Sequence, residues 1–591
     1  MKANKKIKTE WNLSQFYKSV GDPRIDSDMK RMDIAFSTFE KKYKSNNKFI
    51  KDETILFKAL KELEDLSLAG FDKPYRFLSY YRDLDSKNEK VIARLNLISQ
   101  EYNKISNKTV FFDVQLSKID KKSQEKFLKN EKLKHFRYLL KKTFDKSKYI
   151  LTEPEEKILS LKSLTSEQMW VDMTEKLLSK STVNHKDREI ALSEASNLIA
   201  DIPTQKERIK LHKKISQVQK KYAEVAEAEL NAIVTDKKID DELRGLKEAF
   251  DGTILRYEND RNTVMNLVKT VTDSFTVSQR FYKVKAKMLK LKTLSYADRA
   301  AGVGKKKEKI TFAESFERLH SIFHSLSPRF GEILDRMSTN GQIDVYPKVG
   351  KRGGAYCSHG VNTPTMVMLN HTDTFKSLMT FAHEMGHAIH SEFCKVQSPS
   401  YQHYSMSTAE VASTLFEMFT FYDALEKMTE KEKIIALHDK IQDDIATIFR
   451  QVACFNFEVD MHNSIRLKGN LSVTELCHMM NKHMKAYLGP VFKLEEEDGL
   501  MFVSWPHLRY MFYVYSYAFG QLASKALYQK YSEDKKYIDK IGTFLSLGGS
   551  MSPEDVFKSI GVDVKKPDFW KLGIKSIEKD IELLEKLTTK K

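Results

Sequence analysis

Only 22 glycines and 12 prolines punctuate the 591 residues of this chain. That is about half the usual usage of roughly 7% and 5%. A chain with so few residues able to end an element is expected to fold into long helices, so the fold class is read as mostly α. Periodicity agrees. After Asp22-Pro23, residues Met29, Met32, Phe36, Phe39 and Tyr43 step by three and four. That spacing lines one helix face. A polar turn at Ser45-Asn46-Asn47 separates this helix from a second carrying Leu56, Leu60 and Leu63, so the pair reads as an antiparallel hairpin. Further helices are predicted near 75–105, 115–130 and 134–147, with a restart at Thr152. There Thr152 and Glu155 fit a capping box and Pro154 suits a first turn. After a break at Asp201-Ile202-Pro203-Thr204, helices resume to about 290, including Arg208 to Val234, and again over about 311–337. No fixed-period repeat marks a solenoid.

One region is plainly not helical. Residues 341–370 hold Gly341, Gly350, Gly353, Gly354 and Gly360 with Pro347 and Pro364. Between them lie the β-type runs Ile343–Tyr346, Ala355–Cys357 and Thr365–Leu369, a small sheet directly before the next helix.

Composition bears on partners. The formal net charge is +18, and such a balance accompanies binding to nucleic acid or anionic membranes. Here the lysines alternate with Glu and Asp, as on solvated helix faces. The densest run, Lys305-Lys306-Lys307-Glu308-Lys309, reads as an exposed loop. No nucleic-acid partner is therefore expected. No run approaches the ~18 apolar residues of a membrane span. The basic start at Met1-Lys2 leads into no apolar stretch, so no signal peptide is expected. Four cysteines, Cys357, Cys394, Cys454 and Cys477, make no disulfide framework. The expected setting is the cytoplasm. Oligomeric state is not read.

The chemistry concentrates in the helix that follows the sheet, expected from Thr372 or Asp373 to Cys394. It contains His383-Glu384-Met385-Gly386-His387. Residues four apart share a helix face, so His383 and His387 point at one ion. Glu384 projects about 100° round, beside the water of an open metal site. Such a site needs a third protein ligand. A histidine six residues on is excluded, because Phe393 stands where that pattern requires it. The next helix, expected from Ser405 or Ser407, offers Glu410 and Glu417 on one face of an otherwise apolar stretch. Two carboxylates there are costly unless they serve a cation. Glu410 is favoured as ligand, with Glu417 behind it bonding a histidine. Glu410 also fits a plain capping box with Ser407, and the reverse assignment stays open. His390, one turn past His387, is expected behind the ligands or on the surface.

These residues resemble the thimet oligopeptidase family of zinc metallopeptidases, and most of all its bacterial branch, oligoendopeptidase F. The resemblance rests on His383 to His390, with Gly386 before the second histidine, followed by Ala409-Glu410-Val411-Ala412-Ser413-Thr414-Leu415-Phe416-Glu417. It extends to Trp11-Asn12-Leu13, to His135-Phe136-Arg137-Tyr138 through Glu156, and to Tyr346-Pro347 with Gly350 to Cys357. It implies two helical halves flanking a deep substrate channel, with the small sheet before the zinc-binding helix. It divides the chain into an N-terminal helical domain, 1–200, and a catalytic domain, 201–591. Glu410 maps onto the family's third ligand, giving one zinc ion on His383, His387 and Glu410. The sheet edge with Gly353, Gly354 and Ala355 is expected to take the substrate as an added strand.

A second constellation, Trp505 to Tyr517, places His507, Tyr510 and Tyr517 at helical offsets of one face. An aromatic stripe at that spacing reads equally as core. The resemblance assigns these three residues to catalysis, because the family carries a His and two Tyr seven apart here. The His-to-Tyr interval departs from the thimet branch by two residues, and Tyr513 and Tyr515 stand as substitutes. The implied reaction is hydrolysis of internal bonds in oligopeptides, with Glu384 as base. The alternative is a helical zinc carboxypeptidase or dipeptidyl carboxypeptidase. A helical binding scaffold is the reading from another class.

Overall fold

The computed structural model describes residues 7–304 and 309–589. The basic run Lys305 to Glu308, read above as an exposed loop, and Met1 to Lys6 lie outside the described residues. Among the described residues the chain is mostly helical, with five short strands: β1 (Thr182–His185), β2 (Arg188–Ala191), β3 (Ile343–Asp344), β4 (Tyr356–Ser358) and β5 (Met366–Met368). Two compact units form. Each is assembled from three stretches of chain, whereas the division at residue 200 follows chain order.

The first unit takes Met1–Lys148, Glu308–Ala424 and Lys530–Gly561. Its opening helix, Arg24–Tyr43, buries Met29, Met32, Phe39 and Tyr43, the stripe its spacing predicts. Helix Glu53–Leu68 follows, capped by Asp52 through the amides of Thr54 and Ile55. The expected helix over 75–105 is two, Lys73–Leu84 and Glu89–Ser106, parted at Asp85-Ser86-Lys87 and restarted by the Asn88 cap. The expected helix over 311–337 is also two, Phe312–Leu326 and Pro328–Asn340. Pro328 forces the preceding Ser327 out of the helical region, to φ −161° and ψ 133°.

The sheet of this unit runs β3-β5-β4, with β3 parallel and β4 antiparallel to β5. The N-terminal segment clips onto it. The Trp11 indole donates to the carbonyls of Gln342 and Val367 at 3.2 and 2.8 Å. The Trp11 amide donates to Asp344. Lys351 anchors the glycine-rich loop beneath: its fully buried ammonium donates to Asp344 Oδ1 and the carbonyls of Tyr346 and Leu369 at 2.6–2.8 Å. All three ammonium protons are thereby satisfied, which is what a buried lysine requires.

The second unit takes Tyr149–Lys307, Leu425–Gln529 and Val562–Lys591. Thr152 and Glu155 form the expected capping box. Helices Gln205–Lys221 and Ala223–Arg244 divide the run expected to span Arg208 to Val234. The hairpin β1–β2 departs from the expectation that only 341–370 is non-helical. It turns through Lys186 and Asp187, both at positive φ, and buries Val183 and Ile190 with Leu211 and Ile215. Among its buried charges, Arg208 pairs with Asp298 at 2.8 Å and Arg509 with Glu229 at 2.7 Å. Among the described residues, no helix is long and apolar enough to cross a membrane, and all four cysteines are free.

Candidate active site

Helix Phe375–Cys394 is the first unit's central element, buried along most of its length. Its cap is Thr374, whose Oγ1 accepts from the Ser377 amide, one residue beyond the expected pair. Asp373 instead takes a left-handed φ of 54°. Helix Met406–Lys427 packs across it. The approach is close because of Gly386: a Cβ there would lie 2.7 Å from Ser413 Cα and 2.9 Å from the Ala412 oxygen. The missing side chain lets one backbone rest on the other, which brings Glu410 to the two histidines.

Ligand atoms of His383, His387 and Glu410 all lie within 4.8 Å of one another. Glu410 Oε2 is 3.4 Å from His383 Nε2 and 3.7 Å from His387 Nε2, and it accepts a hydrogen bond from Ser413 Oγ at 3.0 Å. On the far side of His383, Nδ1 meets Glu417 Oε2 at 3.3 Å. Two imidazoles with Nε2 inward, one carboxylate, and a second carboxylate behind a ligand histidine make a donor set suited to a zinc-like divalent ion. The residues present fit such an ion.

Electrostatics follow from this packing. Burial opposes charge on His383, but Glu410 and Glu417 overcome it and raise its pKa to about 10. Burial, with the charge of His383, lowers His387 to about 4. Burial works to raise Glu410, yet the bonds to His383 hold it at about 2. Glu384 is buried, and burial together with Glu410 lifts it to about 7, against His383 and an amide from Cys357. A carboxyl poised near neutrality is tuned for proton transfer.

The Cys357 amide belongs to β4, an edge strand, so that edge faces Glu384. Ahead of β4, Asn370 Nδ2 holds the carbonyls of Arg352 and Gly354 at 2.9 and 2.7 Å. Gly354 and Ala355 line a cavity of about 350 Å³ with His371, Thr374 and Lys376, while Gly353 is exposed beside it. His390 is fully buried rather than on the surface, stacked on Tyr404 at 3.8 Å. Sequence reasoning missed its neighbours. Ser391 Oγ bonds the His387 carbonyl, His359 Nδ1 and Tyr404 OH at 2.8–3.1 Å. The His403 ring lies tilted beside that of His359, with centroids 5.3 Å apart. His359 and His403 sit in loops at no fixed spacing from the motif, so no periodic signal marks them.

In the second unit, His507, Tyr510 and Tyr517 do not share one helix. A 3₁₀ turn, Pro506–Arg509, is followed by an irregular loop, and helix Tyr515–Glu533 starts afterwards. Met511 and Phe512 take positive φ of 43° and 62°. Their backbone is held from both sides, the Met511 carbonyl by Thr253 Oγ1 at 3.0 Å and the Phe512 amide by Glu458 at 2.8 Å. The cluster centres on Tyr513, whose hydroxyl meets His507 Nδ1 at 2.6 Å and Tyr517 OH at 3.5 Å. Tyr510 is 56% exposed, and Tyr515 is buried on Asn259. Burial and the charge of Arg450 lower His507 to about 4, so it is a neutral imidazole at pH 7.

The model of peptidase family M3 matches residues 198–575, and that of oligopeptidase F matches 115–181. The chain belongs to peptidase family M3. It is a metallopeptidase, hydrolysing peptide bonds. An oligoendopeptidase F homolog of Borreliella burgdorferi is 27% identical over 94% of both chains. Oligopeptidase PepF of Bacillus subtilis is 25% identical over 90% of this chain and 81% of its own. The same fold occurs in a solved structure from Chlamydophila abortus, with TM-score 0.86 at 22% identity over 98% of each chain. The crystal structure of oligoendopeptidase-F from Enterococcus faecium gives 0.70 at 18%, over 96% of this chain and all of that one.

Proposed function

We propose that this M3 peptidase is a zinc-dependent endopeptidase that cleaves internal bonds of oligopeptides. The observation that carries the reading is the convergence of His383, His387 and Glu410, with the Glu384 carboxyl beside them at a pKa of about 7. The relatives named for oligopeptide cleavage support the substrate class. His383, His387 and Glu410 would hold zinc, which when bound supplies a Lewis acid for the scissile carbonyl and acidifies water.

Glu384 takes a proton from the attacking water and delivers it to the leaving nitrogen as the C–N bond breaks. Glu417 orients His383 through Nδ1 and fixes its tautomer. The substrate backbone is proposed to pair with the edge of β4, led in by Gly353, Gly354 and Ala355. The phenols Tyr517 and Tyr510, with His507, are proposed as donors to the oxyanion and substrate, and Tyr513 bridges His507 to Tyr517. A cytoplasmic setting is part of the proposal, in keeping with four unpaired cysteines.

The test is mass spectrometry of peptides blocked at both ends, incubated with and without chelator. Internal cleavage that the chelator abolishes is expected. No cleavage of the blocked peptides, with products only from otherwise identical peptides left with a free C-terminus, would replace the endopeptidase by a carboxypeptidase.

A further inference from the structure

A second cluster of metal-capable side chains lies in the first unit, apart from the residues described above. Helices Phe312–Leu326 and Pro328–Asn340 form a hairpin joined at Ser327. His320 and His324 are four apart on the first helix, hence on one face. Their ring centroids are 4.4 Å apart. Asp335 reaches them from the second helix and divides its oxygens between them. Oδ1 lies 3.3 Å from His320 Nε2, and Oδ2 lies 3.1 Å from His324 Nε2. One ligand atom from each residue falls within 4.8 Å of the other two. A tetrahedral ion with bonds of about 2.0–2.2 Å needs its ligand atoms about 3.3 Å apart, so little movement closes the set.

Gly331 is a second, independent observation. It sits one turn before Asp335, inside helix Pro328–Asn340, where glycine is ordinarily unfavourable. A Cβ there would fall 2.3 Å from His324 Cγ and Cδ2 and 2.4 Å from Nε2. The ring of His324 therefore occupies the space a side chain would fill. Any larger residue at 331 would turn the imidazole away from Asp335.

We propose that His320, His324 and Asp335 form a second divalent-metal site. Two imidazoles and one carboxylate select borderline ions such as zinc, cobalt or nickel over magnesium or calcium. The three side chains are 34–45% exposed, which leaves the remaining positions to water. Because the ligands come from both arms of the hairpin, the bound ion cross-links it. The second arm runs directly into Gly341 and β3, so occupancy stiffens the entry to the sheet.

The test counts ions on the full chain after equilibration with micromolar free zinc, using elemental analysis. The wild type is expected to hold two per chain, and the His320→Ala/His324→Ala variant one, with its peptidase activity in low zinc unchanged. Gly331→Ala keeps all three ligands but displaces the His324 ring. It is expected to weaken binding of the second equivalent by about tenfold or more, read by titration of zinc-loaded protein. One ion per wild-type chain means a hydrogen-bonded cluster only, and overturns the site. So does a second ion that survives the double substitution. If the double variant fails to fold, unchanged second-equivalent affinity in Gly331→Ala overturns it equally.

Discussion

Gly386→Ala is the smallest change that should damage the metal centre without touching a ligand. The added Cβ would lie 2.7 Å from Ser413 Cα and 2.9 Å from the Ala412 oxygen. Both are backbone atoms, so no side-chain rotation relieves the clash. Ordinary contact begins at 3.4 Å, so the two helices must part by about 0.7 Å. Two energies oppose. Alanine for a helix-interior glycine gains about 1 kcal/mol, whereas forcing a close-packed contact costs about 1–3 kcal/mol. The net lies between neutral and a loss of about 2 kcal/mol, which the fold should survive. The metal centre is less forgiving. Glu410 lies three residues before Ser413, on the displaced helix, and ligand distances tolerate only about 0.2 Å. Zinc affinity should therefore fall about 10–100-fold, while the metal-free protein melts close to wild type. Competition against a chromophoric chelator, paired with a thermal melt, measures both. An unchanged affinity would show that close helix packing does not place Glu410.

Other predictions test the electrostatics and the second unit's hydroxyls. Zinc should bind more tightly as pH rises. In the metal-free protein His383 is protonated up to about pH 10, while His387 and Glu410 are already deprotonated at neutral pH. Between about pH 7.5 and 9, above the Glu384 pKa of about 7, binding should release the His383 proton, and a further one where the bound water ionises, so affinity should rise at least about tenfold per unit. Calorimetry in buffers of different ionisation heat counts the protons released, and zero release would contradict the His383 assignment. Tyr517→Phe should lower kcat by about 100–1000-fold, the cost of losing one oxyanion donor, with KM little changed. A rise in KM alone would make Tyr517 a binding residue instead.

The helix carrying His383 and His387, the helix carrying Glu410 and the preceding sheet are all legible in the sequence, because each rests on local periodicity or on glycine and proline. What escaped reading depends on side-chain contacts and turn geometry that residue spacing does not record. Thr372 and Asp373 look as apt to cap as Thr374, until His371 accepts from the Asp373 amide and leaves Asp373 at positive φ. The Ser327-Pro328 break was readable from the restriction proline places on its predecessor. It was hidden by apolar spacing that continues through it. The β1–β2 hairpin lacks glycine in its turn and uses Lys186 and Asp187 instead. The stretch from His507 to Tyr517 has helical spacing by residue count. It is broken by a loop whose left-handed backbone is paid for by Glu458 and Thr253, some 50 and 260 residues away. That is why Tyr513, not Tyr510, stands at the centre of the cluster.

The most direct measurement of the central claim is the activity and metal content of Glu384→Gln. The substitution keeps size and a hydrogen-bond acceptor for the Cys357 amide but removes the base. A folded chain with undiminished metal at His383, His387 and Glu410, and peptide hydrolysis reduced to near background, is the predicted result. Peptidase activity retained close to wild type, with metal bound, would contradict the assignment of Glu384 and the mechanism built on it.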